Sequence, residues 1–132
     1  MKALIIYNKY SGINGNKEID YLKKKLYVKY NEIEVYESKK DIKNYVLNNS
    51  SKYDLLVIIG GDGTINQAIN GLMLVKNKPI LCYIPMGTCN DFGRSQDLKK
   101  TLDKIVEGIF IANTKYISVN KVNTDYYLYG LA

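Results

Sequence analysis

Four short apolar runs, at residues 3–7, 33–36, 55–59 and 80–84, constrain this chain more than any other feature. Each is about as long as a buried strand and rich in β-branched residues, the pattern of strands covered on both faces. The stretches between them change period. Ile19, Leu22 and Leu26 share one helical face, as do Ile42, Tyr45 and Val46, and then Ile65, Ile69, Leu72 and Met73. A fourth helical stretch follows at Leu98, Leu102, Ile105 and Ile109. Strand alternating with helix predicts βαβ units and an α/β fold, a doubly wound parallel sheet. In such a sheet the ligand crevice lies beyond the carboxyl ends of the strands, so the place of a site is fixed before any motif is considered.

The end of the chain breaks this alternation. Residues 116–122 and 126–131 read as two more strands, joined by a turn at Asn123-Thr124-Asp125. A sheet edge ending in Tyr126-Tyr127-Leu128-Tyr129 would be aromatic and unprotected. The expectation is a fragment of a longer protein, or an edge covered by another subunit, as in a homodimer.

Composition narrows the class. With 132 residues of which 46% are hydrophobic, the chain can bury roughly two-thirds of the surface its unfolded form exposes and needs no disulfide framework. Its two cysteines, Cys82 and Cys89, are too few for a scaffold, and Cys82 falls in an apolar run where a buried, reduced thiol is the ordinary expectation. The opening apolar run is too short for a signal peptide or membrane span, which predicts a cytoplasmic protein. Of the net charge of +6, residues 1–52 carry +5, with 11 lysines against 6 acids. Lys23-Lys24-Lys25 and Lys39-Lys40 would suit an anionic membrane surface, but they lie mostly opposite Ile19, Leu22 and Leu26, so a solvated face is the plainer reading. No nucleic-acid motif is present, and the 13 tyrosines are spread along strands and helices alike.

Two segments carry chemistry. In the first, the run at 55–59 leads into Gly60-Gly61-Asp62-Gly63-Thr64, with a helix expected from about Thr64. Glycines let a backbone turn sharply and let phosphate oxygens approach its N–H groups at the positive end of a helix. Asp62 within such a cradle would repel a polyphosphate unless a divalent cation lay between them, which points to Mg²⁺. An Asp-Gly hairpin is the alternative, but the residues after Gly63 have helical spacing. The spacing is neither a P-loop nor a dinucleotide fingerprint, since Asn66 stands where the third glycine would be. The second segment is Gly87-Thr88-Cys89-Asn90-Asp91-Phe92-Gly93-Arg94, after the run at 80–84. It can face the first loop across the crevice, with Asp91 towards the same metal and Thr88 towards the same phosphates; alone, it would also suit a short N-capped helix.

Together these two segments resemble the catalytic domain of the bacterial diacylglycerol kinases, soluble lipid kinases related to the sphingosine kinases. Tyr7-Asn8-Lys9-Tyr10-Ser11-Gly12 matches the family's nucleotide-contacting first loop. The resemblance implies the N-terminal nucleotide-binding domain, over 1–132, of a two-domain enzyme. Such an enzyme phosphorylates a membrane lipid hydroxyl, diacylglycerol being the usual acceptor, while peripheral to the membrane and in transient contact with its surface. By position, Asn8, Lys9, Tyr10, Ser11, Gly12, Ser38, Gly61, Asp62, Gly63, Thr64, Ile65, Asn66, Gln67 and Thr88 would contact ATP. Asp62 and Asp91 would organise Mg²⁺ through waters. The family's general base belongs to a C-terminal β-rich domain, which this chain is expected to lack, leaving the isolated domain inactive.

The chain departs from the family pattern at three positions. Lys9 stands where Pro is common, Gln67 where Glu is usual, and Ser118 where an acid of the metal-centred network is usual. Loss of two carboxylates would weaken Mg²⁺ binding or shift it towards the nucleotide's own oxygens. NAD kinases share the first motif and the fold but lack the Asn-Asp-Phe-x-Arg continuation, and they form the second reading. A non-catalytic nucleotide-binding module is the third.

Overall fold

All four apolar runs fold as parallel strands of one sheet. The computed structural model describes residues 1–8, 17–38, 41–85, 103–104, 106–107, 118–122 and 125–129. In chain order these hold β1 (Lys2–Asn8), α1 (Lys17–Leu26), β2 (Glu32–Ser38), α2 (Ile42–Asn49), a 3-10 turn (Ser50–Lys52), β3 (Leu55–Gly60), α3 (Asp62–Leu72), β4 (Ile80–Pro85), β5 (Ser118–Val122) and β6 (Asp125–Tyr129). The main sheet has the order β2-β1-β3-β4, so successive connections run outward in opposite directions from the gap between β1 and β3.

Each central strand is buried on both faces because its side chains alternate between two helical layers. Ala3, Ile5, Leu55 and Val57 face α1, where Ile19, Leu22 and Leu26 close the layer. Leu4, Ile6, Leu56 and Ile58 face α2 and α3, against Ile42, Val46, Ile65, Ile69 and Leu72. The predicted helical faces are thus the buried ones. On α1, Lys24 is exposed, and Lys23 and Lys25 are partly so, as expected of a solvated face. Leu98, Leu102, Ile105 and Ile109 lie outside the described residues. Val106, in helical conformation, is buried in the α1 layer, and Asp103 accepts a 2.7 Å hydrogen bond from the Tyr21 hydroxyl.

Two glycines fix how closely the parts of the second layer approach. A Cβ on Gly71 would stand 2.3 Å from the carbonyl oxygen of Lys43, so α3 lies against the backbone of α2 at this point. A Cβ on Gly60 would stand 2.8 Å from the Thr64 side chain, so the last residue of β3 and the first turn of α3 are folded tightly together.

Two sequence expectations are corrected. The third helix starts at Asp62, two residues before Thr64, because Gly61 supplies the extended N-cap and Asp62 suits the first turn. Cys82 is a free thiol but only partly buried, and removal from water pushes its pKa up to about 12. The last two runs pair antiparallel as a two-stranded sheet, as the turn expected between them requires, with Asp125 already in β6 opposite Val122.

Candidate nucleotide-binding site

The parallel register brings the carboxyl ends of all four main strands into one row. Asn8 pairs with Ser38, Tyr7 with Ile59, and Gly60 with Pro85, so Ser38, Asn8, Gly60 and Pro85 lie side by side across the sheet. The gap between β1 and β3, where the strand order reverses, is the expected crevice of a doubly wound sheet. Asn8 spans it: its Nδ2 donates to Oγ1 of Thr64 at 3.3 Å. One predicted contact residue from the first loop and one from the glycine segment, 56 positions apart, therefore meet. Thr64 is buried, as is Ser38.

The N-terminus of α3 opens at this point. Its N-cap is Gly61, with φ −91° and ψ −171°, which brings no side chain to cap the first N–H groups. The glycines here have different reasons. Gly60 is required by contact with Thr64, whereas a Cβ on Gly61 or Gly63 would meet nothing within 4 Å among the described residues. Packing of the described residues does not account for the bare backbone at 61 and 63. Approach of an anionic ligand would, since N–H groups at a helix start favour an anion. Asp62, exposed in the first turn, adds a hard carboxylate oxygen of the kind that Mg²⁺ takes. Among the described residues no three His, Cys, Asp or Glu side chains cluster as a metal site.

The other predicted residues of α3 do different things. Ile65 is buried in the layer beneath the sheet, so any contact from it would come through its backbone. Asn66 is partly buried, and its carbonyl accepts from Asn70 Nδ2 at 2.7 Å. Gln67 turns the other way, and its Oε1 accepts the backbone N–H of Ile42 at 3.2 Å, capping the start of α2. The same helix end is capped a second time by Asp41, which accepts from the Asn44 N–H at 3.3 Å and its Nδ2 at 2.6 Å. Asp41 adopts the left-handed conformation, φ 61° and ψ 53°. Lys9, Tyr10, Ser11, Gly12, Thr88 and Asp91 lie outside the described residues, as do Lys39 and Lys40.

Two tyrosines lie near the strand ends, Tyr7, which opens the first-loop match, and Tyr83, which the sequence did not single out. Tyr83 on β4 donates its hydroxyl to the Gly60 carbonyl at 3.0 Å. Burial, and then the charge of Asp62, raises its pKa above the ordinary tyrosine value. Tyr7 donates to Oε2 of Glu37 at 3.1 Å, and burial followed by that bond raises its pKa too. A tyrosine in an aliphatic run is a weak signal for a polar anchor. Asp41 had a better one, an acid placed just before a helical period.

The comparisons with known proteins bear on the family and the fold. The model of the diacylglycerol kinase catalytic domain matches residues 2–122. A diacylglycerol kinase of Staphylococcus epidermidis is 41% identical over 78 residues, 59% of this chain and 25% of that enzyme. One from Staphylococcus aureus is 41% identical over 80 residues, 58% of this chain and 24% of the enzyme. The match thus spans about a quarter of the length of these curated relatives. The crystal structure of a diacylglycerol kinase from Bacillus anthracis superposes with a TM-score of 0.69 at 27% identity, covering 95% of this chain and 45% of that one. The MID domain of Neurospora crassa QDE-2 shares only the fold, with a TM-score of 0.52 at 8% identity. With a catalytic-domain match along nearly its whole length, a parallel sheet and a glycine-flanked helix start at the strand-order reversal, the chain belongs to the diacylglycerol kinase catalytic-domain family.

Proposed function

We propose that the protein carrying this chain is an ATP- and Mg²⁺-dependent lipid kinase that transfers the γ-phosphoryl group of ATP to a lipid hydroxyl, converting diacylglycerol to phosphatidic acid. The observation that carries the reading is the open start of α3, with Gly61 and Gly63 bare and Thr64 tied to Asn8 across the reversal. Backbone N–H groups at 62–64 would receive phosphate oxygens, and the Asn8–Thr64 bond holds the first loop and α3 in one register. Ser38, Lys9, Tyr10, Ser11, Gly12 and Thr88 would complete the nucleotide contacts. Asp62 and Asp91 would hold Mg²⁺, which when bound offsets the negative charge of the transferring phosphate. The base that takes the acceptor's proton would come from a C-terminal β-rich domain, and the protein would work at the membrane surface. No helix among the described residues is long and apolar enough to cross a membrane.

The test is incubation of the full-length protein with ATP, Mg²⁺ and diacylglycerol vesicles, with phosphatidic acid as the expected product. Absence of any phospholipid product overturns the lipid-kinase reading. One observation favours a second reading, a nucleotide-binding module without transfer: Gln67, standing where the family has Glu, is bonded to the α2 N-terminus. ATP binding without phosphorylation of any lipid is its signature.

A further inference from the structure

We infer that Tyr83 is a positioning residue for the nucleotide's phosphates, acting through the peptide bond between Gly60 and Gly61. The inference rests on the nucleotide-binding reading above. Tyr83 pairs in register with Ile58, so its side chain lies on the sheet face that carries Ile58 and Gly60. From there its hydroxyl reaches along the sheet to the Gly60 carbonyl at 3.0 Å. That oxygen and the N–H of Gly61 belong to one rigid plane and, in a trans peptide, point in opposite directions. No described peptide bond is cis. Holding the oxygen on Tyr83 therefore turns the Gly61 N–H away from Tyr83 and fixes the plane through which the chain enters α3.

Such a restraint matters here more than elsewhere. Gly60 and Gly61 have no Cβ to limit their rotation, and the N-cap Gly61 brings no side chain to the helix they lead into. The Gly61 carbonyl accepts the Ile65 N–H at 3.1 Å, so the plane on its helix side is held by α3, and the Gly60–Gly61 plane sets how the chain, and with it the Gly61 N–H, enters that helix. Thr64 packs on one side of Gly60, and Tyr83 holds its carbonyl.

The test uses Tyr83→Phe in the full-length protein, which removes the hydroxyl and keeps the ring. Calorimetric titrations are made with ATP, inorganic tripolyphosphate and adenosine, each with Mg²⁺, below the melting midpoint of the variant. Affinity for ATP and tripolyphosphate should fall about fivefold, the worth of one hydrogen bond, while adenosine binding stays unchanged. In lipid phosphorylation, KM for ATP should rise by the same factor with kcat within about twofold. Equal ATP affinity in the variant and the parent overturns the inference. Equal weakening of ATP and adenosine also overturns it, leaving a packing role. A parent protein that binds ATP but makes no phospholipid overturns the lipid-kinase reading alone, and one that binds no ATP overturns both.

Discussion

The starts of α2 and α3 stand at the same end of the sheet, each following a parallel strand, and they are finished in opposite ways. At α2 the Ile42 N–H goes to Gln67, the Asn44 N–H goes to Asp41, and the Asn44 side chain bonds Asp41 as well. At α3 the N-cap is a glycine that offers no side-chain acceptor. A glycine at the N-cap in place of Ser, Thr, Asn or Asp forgoes roughly a few tenths of a kcal/mol of stability. One of these helix ends has side-chain acceptors supplied by the protein, and the other has none from its own N-cap. Both have the same dipole, so the dipole cannot be what distinguishes them; the presence or absence of competing acceptors is.

Removing the charge beside the open end should have the largest effect. Asp62→Ala in the full-length protein is expected to lose at least about 100-fold in turnover, as loss of a group that stabilises developing charge does elsewhere. Its melting temperature should stay within a few degrees of the parent, because the side chain is exposed. Near-parental turnover would break the assignment of Asp62 to the cation.

Giving α3 the kind of cap that α2 has should be next. Gly61→Asp places a carboxylate at an N-cap position whose Cβ would meet nothing within 4 Å. The unliganded protein should melt at the same temperature or slightly higher, while ATP affinity falls at least about tenfold, through filled space and like-charge repulsion. Undiminished ATP binding would show that the glycine is not there for the ligand.

The smallest effect is expected at the closed end. Asp41→Ala should lower the melting temperature by about 4 °C, the effect of about 1 kcal/mol in a domain of this size. Asp41→Gly should cost less, because φ of 61° suits glycine and part of the lost capping is offset. Thermal melts in which glycine is the worse replacement would contradict this use of the left-handed backbone at Asp41.

These contrasts also show where the sequence was readable. The runs at 3–7 and 55–59 became β1 (Lys2–Asn8) and β3 (Leu55–Gly60), within a residue at each end, because strands buried on both faces need unbroken apolar stretches. The start of α3 was read two residues late, since Gly and Asp are poor in a helix interior and good at its beginning. The bonds from Asn8 to Thr64, Ile42 to Gln67 and Tyr83 to Gly60 join positions 56, 25 and 23 residues apart. They leave no periodic trace, and only the folded sheet brings those pairs together. Gln67 is the clearest case: the motif marked its position, while the structure revealed that it reaches α2.

The outer strand of the main sheet has its own consequence. Among the described residues β2 pairs only with β1, and it has the sequence Glu-Ile-Glu-Val-Tyr-Glu-Ser, with Glu32 and Glu34 exposed. Laid against another extended chain of the same kind, this margin would set glutamate against glutamate, and Coulomb repulsion would work against every new backbone bond formed. The fold thereby has a negatively charged selvedge that discourages fibrous stacking through β2.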